Sequence, residues 1–126
     1  MNLNNIINRI KLINSNIKFL GSFDENNLKT GYWEGYYYDG ILQSKGNYIN
    51  GKKDGYWEAY FHNGNLWYSG SYKNGMKDGY WVNYWYDSTI KNEMNYSNNK
   101  LHGVFKEYYF NGKIREIKHY VNDKKI

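Results

Sequence analysis

The chain has 126 residues and a net charge of +5, with 21% aromatics, including 16 tyrosines and five tryptophans, 13 glycines, and neither proline nor cysteine. That length suits one domain, and the missing thiols exclude a disulfide framework, a thiolate metal site and a cysteine nucleophile. No apolar window reaches the roughly 18 residues of a membrane-spanning helix, and residues 1–20 lack the apolar run of a secretory signal, so the expected setting is the cytoplasm of a bacterial cell or of an infected host.

In chain order, residues 1–11 stay open between helix and strand, because Leu3, Ile6, Ile10 and Ile13 also fall at helical spacing. Residues 12–30 read as a degenerate hairpin. Ile13-Asn14-Ser15-Asn16-Ile17 through Gly21-Ser22-Phe23 lays over Tyr38-Asp39-Gly40-Ile41-Leu42 through Gly46-Asn47-Tyr48. This stretch lacks the tryptophan of the later copies, as expected of a unit that caps an array. Four units of 24 residues follow without insertion, at 31–54, 55–78, 79–102 and 103–126, so the expected organisation is a single repeat domain over 1–126. Their third position is Trp33, Trp57, Trp81 or Phe105, their sixth Tyr36, Tyr60, Tyr84 or Tyr108, and their eighteenth Tyr48, Tyr72, Tyr96 or Tyr120.

Each unit reads as a β-hairpin. Asp39-Gly40, Asn63-Gly64 and Asn111-Gly112 are two-residue signals for a type I′ turn, with Asp87-Ser88 a poorer copy. That turn places Trp33 opposite Gly46 and Trp57 opposite Gly70, where a ring can lie over a residue with no side chain. A longer connection, Asn50-Gly51-Lys52-Lys53-Asp54-Gly55 and its copies, brings Tyr48 opposite Trp57 and Tyr72 opposite Trp81. Side chains alternate along strands, so one face collects Trp33, Tyr37, Leu42, Gly46, Tyr48, Trp57, Ala59, Phe61, Leu66, Tyr68, Trp81, Trp85 and Ile90 as the core. The other collects Tyr32, Glu34, Tyr36, Tyr38, Tyr56, Glu58, Tyr60, His62, Tyr80, Tyr84, Tyr86, Lys106 and Tyr108, an array of phenols among charges.

The recurring G-Y-W-x-x-Y-x-x-(N/D)-G, then G-x-Y-x-N-G-x-x-D-G, resembles MORN repeats (membrane occupation and recognition nexus), and more closely the bacterial variant known as the YwqK-type antitoxin family. The resemblance covers 31–126 well and 12–30 weakly. It departs where Ser88 and Asn99 replace turn glycines and where Met94 and Lys118 replace the core-facing glycine. It implies an all-β fold, an elongated twisted antiparallel sheet of stacked hairpins used as a binding scaffold, with no catalytic centre and no cofactor.

The candidate sites derive from the two faces. Glu58 and His62, four positions apart on one strand, are the nearest approach to an acid–base pair, but such work needs a positioned partner. No carboxylate or histidine cluster has metal-ligand spacing, and Asn-Gly-Lys-Lys-Asp-Gly lacks the Walker spacing. The long turns carry Lys52, Lys53, Lys73, Lys77 and Lys100, a basic ridge able to meet anionic lipid, although solvated turns carry lysines in any case. A partner-binding face of Tyr36, Tyr38, Glu58, Tyr60, His62, Tyr84, Tyr86 and Tyr108 suits a protein partner, since tyrosine supplies contact area at low entropic cost. Recurrence of these rings also fits cross-strand stacking within the sheet. With only Arg9 and Arg115 as arginines, nucleic-acid recognition is disfavoured. The expected function is a non-catalytic scaffold for a protein partner, antitoxin-like or in counter-defence, with lipid binding through the ridge as the alternative.

Overall fold

A computed structural model describes residues 10–13 and 17–126, with side chains from Lys18 onward. The helix-or-strand question for residues 1–9 and the proposed Asn14-Ser15-Asn16 turn lie outside the described residues. The strands are β1 (Ile10–Ile13), β2 (Ile17–Phe23), β3 (Lys29–Tyr36), β4 (Leu42–Ile49), β5 (Lys52–Tyr60), β6 (Leu66–Lys73), β7 (Met76–Tyr84), β8 (Ile90–Ser97), β9 (Lys100–Leu101), β10 (Gly103–Tyr108), β11 (Ile114–Val121) and β12 (Lys124–Lys125). All pair antiparallel in one sheet that follows chain order, with β9 lying beside β8. At the usual strand spacing this all-β sheet is about 50 Å long across its strands.

Two kinds of turn alternate, and their chemistry is the reverse of the sequence reading. The Asn50-Gly51 connection, expected to be the longer one, is a two-residue turn with positive φ at both residues (51° and 77°), the type I′ signature. Asn74-Gly75, Asn98-Asn99 and Asn122-Asp123 repeat it. The Asp39-Gly40 connection is instead a three-residue loop. The Gly40 N–H donates to the Tyr37 carbonyl at 2.9 Å, the Tyr37 N–H donates to the Ile41 carbonyl at 2.8 Å, and φ is positive only at Gly40. The Asp39 carboxylate accepts the Ile41 N–H at 3.3 Å, and Asn63, Asp87 and Asn111 do the same for Asn65, Thr89 and Lys113. An acceptor side chain that captures the amide two residues on favours this wider loop, leaving only the next residue left-handed.

The wider loop carries a bulge that changes the faces. Trp33 pairs with Gly46 and Gly35 with Ser44 as expected, but the register then shifts and Tyr36 pairs with Leu42. Likewise Tyr60 pairs with Leu66, Tyr84 with Ile90 and Tyr108 with Ile114. Directly opposed residues share a face, so Leu42, Leu66 and Ile90 belong with the tyrosines and not with the tryptophans. A second irregularity, between Lys45 and Asn47, sets Tyr48 opposite Lys53 in place of Trp57, and Tyr72 lies opposite Lys77 for the same reason.

Successive hairpins are tied at both edges. Each type I′ tip donates its second N–H to a strand of the preceding unit, Gly51 to Lys29, Gly75 to Lys53, Asn99 to Lys77 and Asp123 to Leu101, at 2.8 to 3.0 Å. At the other edge the Tyr37 hydroxyl donates to the Tyr60 carbonyl at 2.8 Å, and the side-chain amides of Asn63 and Asn65 donate to the Tyr86 carbonyl. The first ladder is backbone geometry common to all the units, and the second is made by side chains that join the units at 31–54, 55–78 and 79–102.

Candidate functional site

On the first face a module of one glycine, one tryptophan, one tyrosine and one lysine recurs. The Trp57 ring lies flat on Gly46, where an added β-carbon would stand 2.2 Å from ring atom Cδ2, and Trp81 covers Gly70 and Trp33 covers Gly21 in the same way. The ring therefore lies over the glycine of the preceding hairpin. The in-hairpin pairings of Trp33 with Gly46 and Trp57 with Gly70 are real, but the predicted coverage is displaced by one hairpin. Each indole N–H donates to a backbone carbonyl: Trp33 to Ser22 (3.1 Å), Trp57 to Asn47 (3.0 Å) and Trp81 to Ser71 (3.1 Å). Each indole also meets an aromatic edge to face: Phe23 at 5.1 Å, Tyr48 at 5.1 Å and Tyr72 at 5.0 Å respectively. The three tryptophans are buried at 2 to 5% exposure although among the described residues no second layer covers them. A ring lying along the sheet covers its own face, and this is how a one-layer sheet acquires a core.

Lysines complete the module. Lys53 Nζ lies 4.7 Å from the Trp57 ring and 5.1 Å from Tyr72, while Lys77 Nζ lies 4.8 Å from Trp81 and 5.0 Å from Tyr96. Lys29 sits equivalently over Trp33 and Tyr48. Burial pushes the Lys53 ammonium below its ordinary pKa, helped by Lys29 and Lys77, and burial pushes Lys77 down too. The predicted basic ridge therefore divides: Lys52, Lys73 and Lys100 are exposed, whereas Lys53 and Lys77 fold back into aromatic cages on the first face. A four-carbon stem beside an indole gains apolar contact while its charge meets the ring's negative face.

The second face is a phenol and carboxylate surface. One cross-strand row runs Glu34, Lys45, Glu58, Ser69, Val82, Glu93, Lys106. Val82 and Ser69 at its centre are buried, so both faces contribute to the core. The Tyr36 hydroxyl donates to Glu34 at 2.7 Å, and that bond, aided by burial, pushes its pKa up to about 12. The hydroxyls of Tyr108 and Tyr80 both donate to Glu93, which they hold below the usual carboxylate range, Tyr108 having the larger effect. Glu58 pairs with Lys45 at 3.6 Å.

Of the predicted partner-binding residues, Tyr36, Glu58, Tyr60, Tyr84 and Tyr108 share this face. Tyr38, His62 and Tyr86 do not. They sit in the three-residue loops at the sheet's edge, where the extra loop residue removes them from the strand alternation. His62 Nε2 lies 2.5 Å from the Asp39 carboxylate and its ring meets Tyr37 and Tyr38. Glu58 and His62 thus have separate partners and form no acid–base pair. Sequence reasoning placed Tyr32, Tyr56 and Tyr80 on the second face but left them out of the partner-binding set, although they are its more open rings, at 50, 56 and 53% exposure. Their signal was available, since all three occupy the second position of a unit.

The departures from the repeat are accommodated locally. Asn98 and Asn99 hold the same left-handed pair as Asn74 and Gly75, and the Asn99 side-chain oxygen accepts the Lys77 N–H at 2.7 Å. Ser88 takes the left-handed position of the loop glycines at φ 78°. Met94 stands where the earlier units have Gly46 and Gly70, is buried, and is followed by a unit with the smaller ring of Phe105 in place of tryptophan.

A search of curated proteins gives no significant match. The family model described as the MORN repeat variant matches residues 29–50, 53–74 and 101–122, together just over half of the chain. Each matched stretch is one hairpin of the array, and the unmatched hairpin between the second and third holds Ser88, Met94 and Asn99. With three matches and an all-strand sheet of successive hairpins, the chain belongs to the MORN repeat variant family.

Proposed function

We propose that the chain is a non-catalytic scaffold that engages a protein partner through its second face, with neutralisation of a toxin or effector, or counter-defence, as its biological use. The observation that carries this reading is the row Tyr32, Tyr56 and Tyr80. Three half-exposed rings recur at one repeat position on the face that carries Glu34, the Lys45–Glu58 pair and Glu93, on a sheet whose successive hairpins are tied by a backbone hydrogen bond at each type I′ tip. A preformed surface of amphipathic rings binds with little ordering cost. Family membership supports a binding role in general, and the separate partners of Glu58 and His62 support the absence of acid–base work. Lipid binding by the lysine ridge has less support, because Lys53 and Lys77 are recessed among rings.

The test is affinity capture from the native host with wild-type protein and with a Tyr56→Ser/Tyr80→Ser variant shown to keep its strand content and a cooperative thermal transition. A protein retained by the first and lost by the second supports the reading. Equal retention by both rejects the tyrosine face as the site. Relief of growth arrest when the captured protein is co-expressed with this chain then separates a neutralising role from a purely structural one.

A further inference from the structure

A second surface lies on the opposite face, centred on Trp67. The β6 register passes from the Tyr60–Leu66 pair to the Ala59–Tyr68 pair, so Trp67 is the extra residue of the bulge. Its ring stacks on Phe61 at 5.5 Å and meets Tyr68 at 5.1 Å, yet it remains 44% exposed. The other units carry Gln43, Lys91 and Arg115 at this position, so the hairpin itself does not require an indole there.

Trp67 borders three clefts, of about 210, 320 and 320 Å³, and each contains one lysine: Lys53, Lys77 and Lys91. Glu58 also borders the first, but its carboxylate is taken by Lys45. The Lys53, Lys77 and Lys91 ammoniums lie 4.7 to 4.9 Å from the rings of Trp57, Trp81 and Trp85, and among the described residues none has a carboxylate within 4.0 Å. Three cations around one exposed indole, without a counter-charge of their own, are complementary to an acidic ligand with an apolar anchor.

We propose that Trp67 with Lys53, Lys77 and Lys91 forms a docking site for an extended acidic segment of a partner protein, an apolar side chain lying on the indole and flanking carboxylates reaching the lysines. The recessed position of Lys53 and Lys77 selects a chain over a bilayer, since single side chains enter clefts that a lipid surface only covers. Lys53 and Lys77 occupy equivalent places two strands apart, about 10 Å. A polyproline-type segment returns a side chain to the same side every third residue, about 9 Å along its axis. Absence of arginine from the site disfavours phosphate-backbone recognition.

The experiment measures anisotropy of a labelled short peptide, with glutamates three residues apart around a leucine, against the full chain. Wild-type protein is expected to bind it in a salt-sensitive way. Trp67→Gln, the residue of the first unit at this place, should weaken binding about tenfold while the fold and its thermal transition persist. Lys53→Gln/Lys77→Gln should weaken it comparably, and Tyr56→Ser/Tyr80→Ser should leave it unchanged. Undiminished binding by a folded Trp67→Gln variant, or no binding of the peptide at low salt, overturns the proposal. So does preferential binding of phosphatidylserine vesicles or oligo-dT that the same substitutions abolish.

Discussion

The indole of Trp81 lies on Gly70 so closely that a β-carbon there would stand 2.0 Å from ring atom Cδ2. The ring is also bracketed edge to face by Tyr72 at 5.0 Å and Tyr96 at 6.1 Å, and Lys77 lies over it. This one contact joins adjacent hairpins, because Gly70 is on β6 and Trp81 on β7. It shows how one hairpin is packed on the next within a single sheet.

Replacing that glycine should therefore be costly. Gly70→Ala and Gly46→Ala are each expected to lose about 1–3 kcal/mol or more, through a displaced ring and not through backbone strain, since neither glycine has positive φ. Trp81→Ala should lose about 3–5 kcal/mol. Urea denaturation of the single and double variants checks this: Gly70→Ala should cost much less in the Trp81→Ala background. An additive double variant would deny the contact.

The third and fourth units offer the complementary case. Met94 is buried at the glycine place and the following unit supplies Phe105, so bulk has moved from ring to partner. Phe105→Trp alone should destabilise by overpacking and Met94→Gly alone by leaving a void. Together they should recover part of the loss, with a coupling of about 0.5–3 kcal/mol in a double-mutant cycle.

Turn chemistry predicts a difference between two substitutions at one residue. Asn99 has φ 68° and its side chain accepts the Lys77 N–H. Asn99→Ala should lose about 1–2 kcal/mol, combining an unfavourable left-handed alanine with the lost hydrogen bond. Asn99→Gly relieves the first cost and incurs only the second, and should lie closer to wild type in thermal melts.

Stability should fall at both ends of the pH scale. Burial, with smaller contributions from Tyr68 and Tyr48, pushes Tyr72 up to about 12, and the hydrogen bond to Glu93 does the same for Tyr108. A phenol raised above its ordinary 10.0 gives stability that is complete below pH 10 and is lost as pH climbs toward about 12. Glu93 is lowered from 4.5, so its contribution is present above that pH and is lost as pH falls through its depressed folded value. Melting temperatures across pH should show Tyr72→Phe flattening the alkaline limb and a Tyr80→Phe/Tyr108→Phe variant flattening the acid limb. Unaltered limbs in both would assign the pH dependence to other groups.

The 24-residue period, the hairpin in every unit and the pairing of Trp33 with Gly46 were legible in the sequence, because period-two alternation between turn residues is a local signal. So was the shared face of Tyr36, Tyr60, Tyr84 and Tyr108. Tyr38, His62 and Tyr86 were misplaced, and Trp67 was passed over, because one extra residue in a strand reverses the face of every later side chain in that strand and leaves no mark in the local composition. Lys53 and Lys77 read as turn charges for a related reason: their ring partners include a tyrosine from a strand beyond the turn.

By itself, then, the sequence determined a count of units, a strand type and a repeat register, all of which rest on propensities and spacings within a few residues. Only the tertiary structure decided which glycine each tryptophan covers, which lysines are caged and which aromatics remain open. Those outcomes depend on contacts between consecutive hairpins, where bulges and twist set which side chains meet. The fold is thus a property of the unit, and the candidate binding surfaces are a property of the stack.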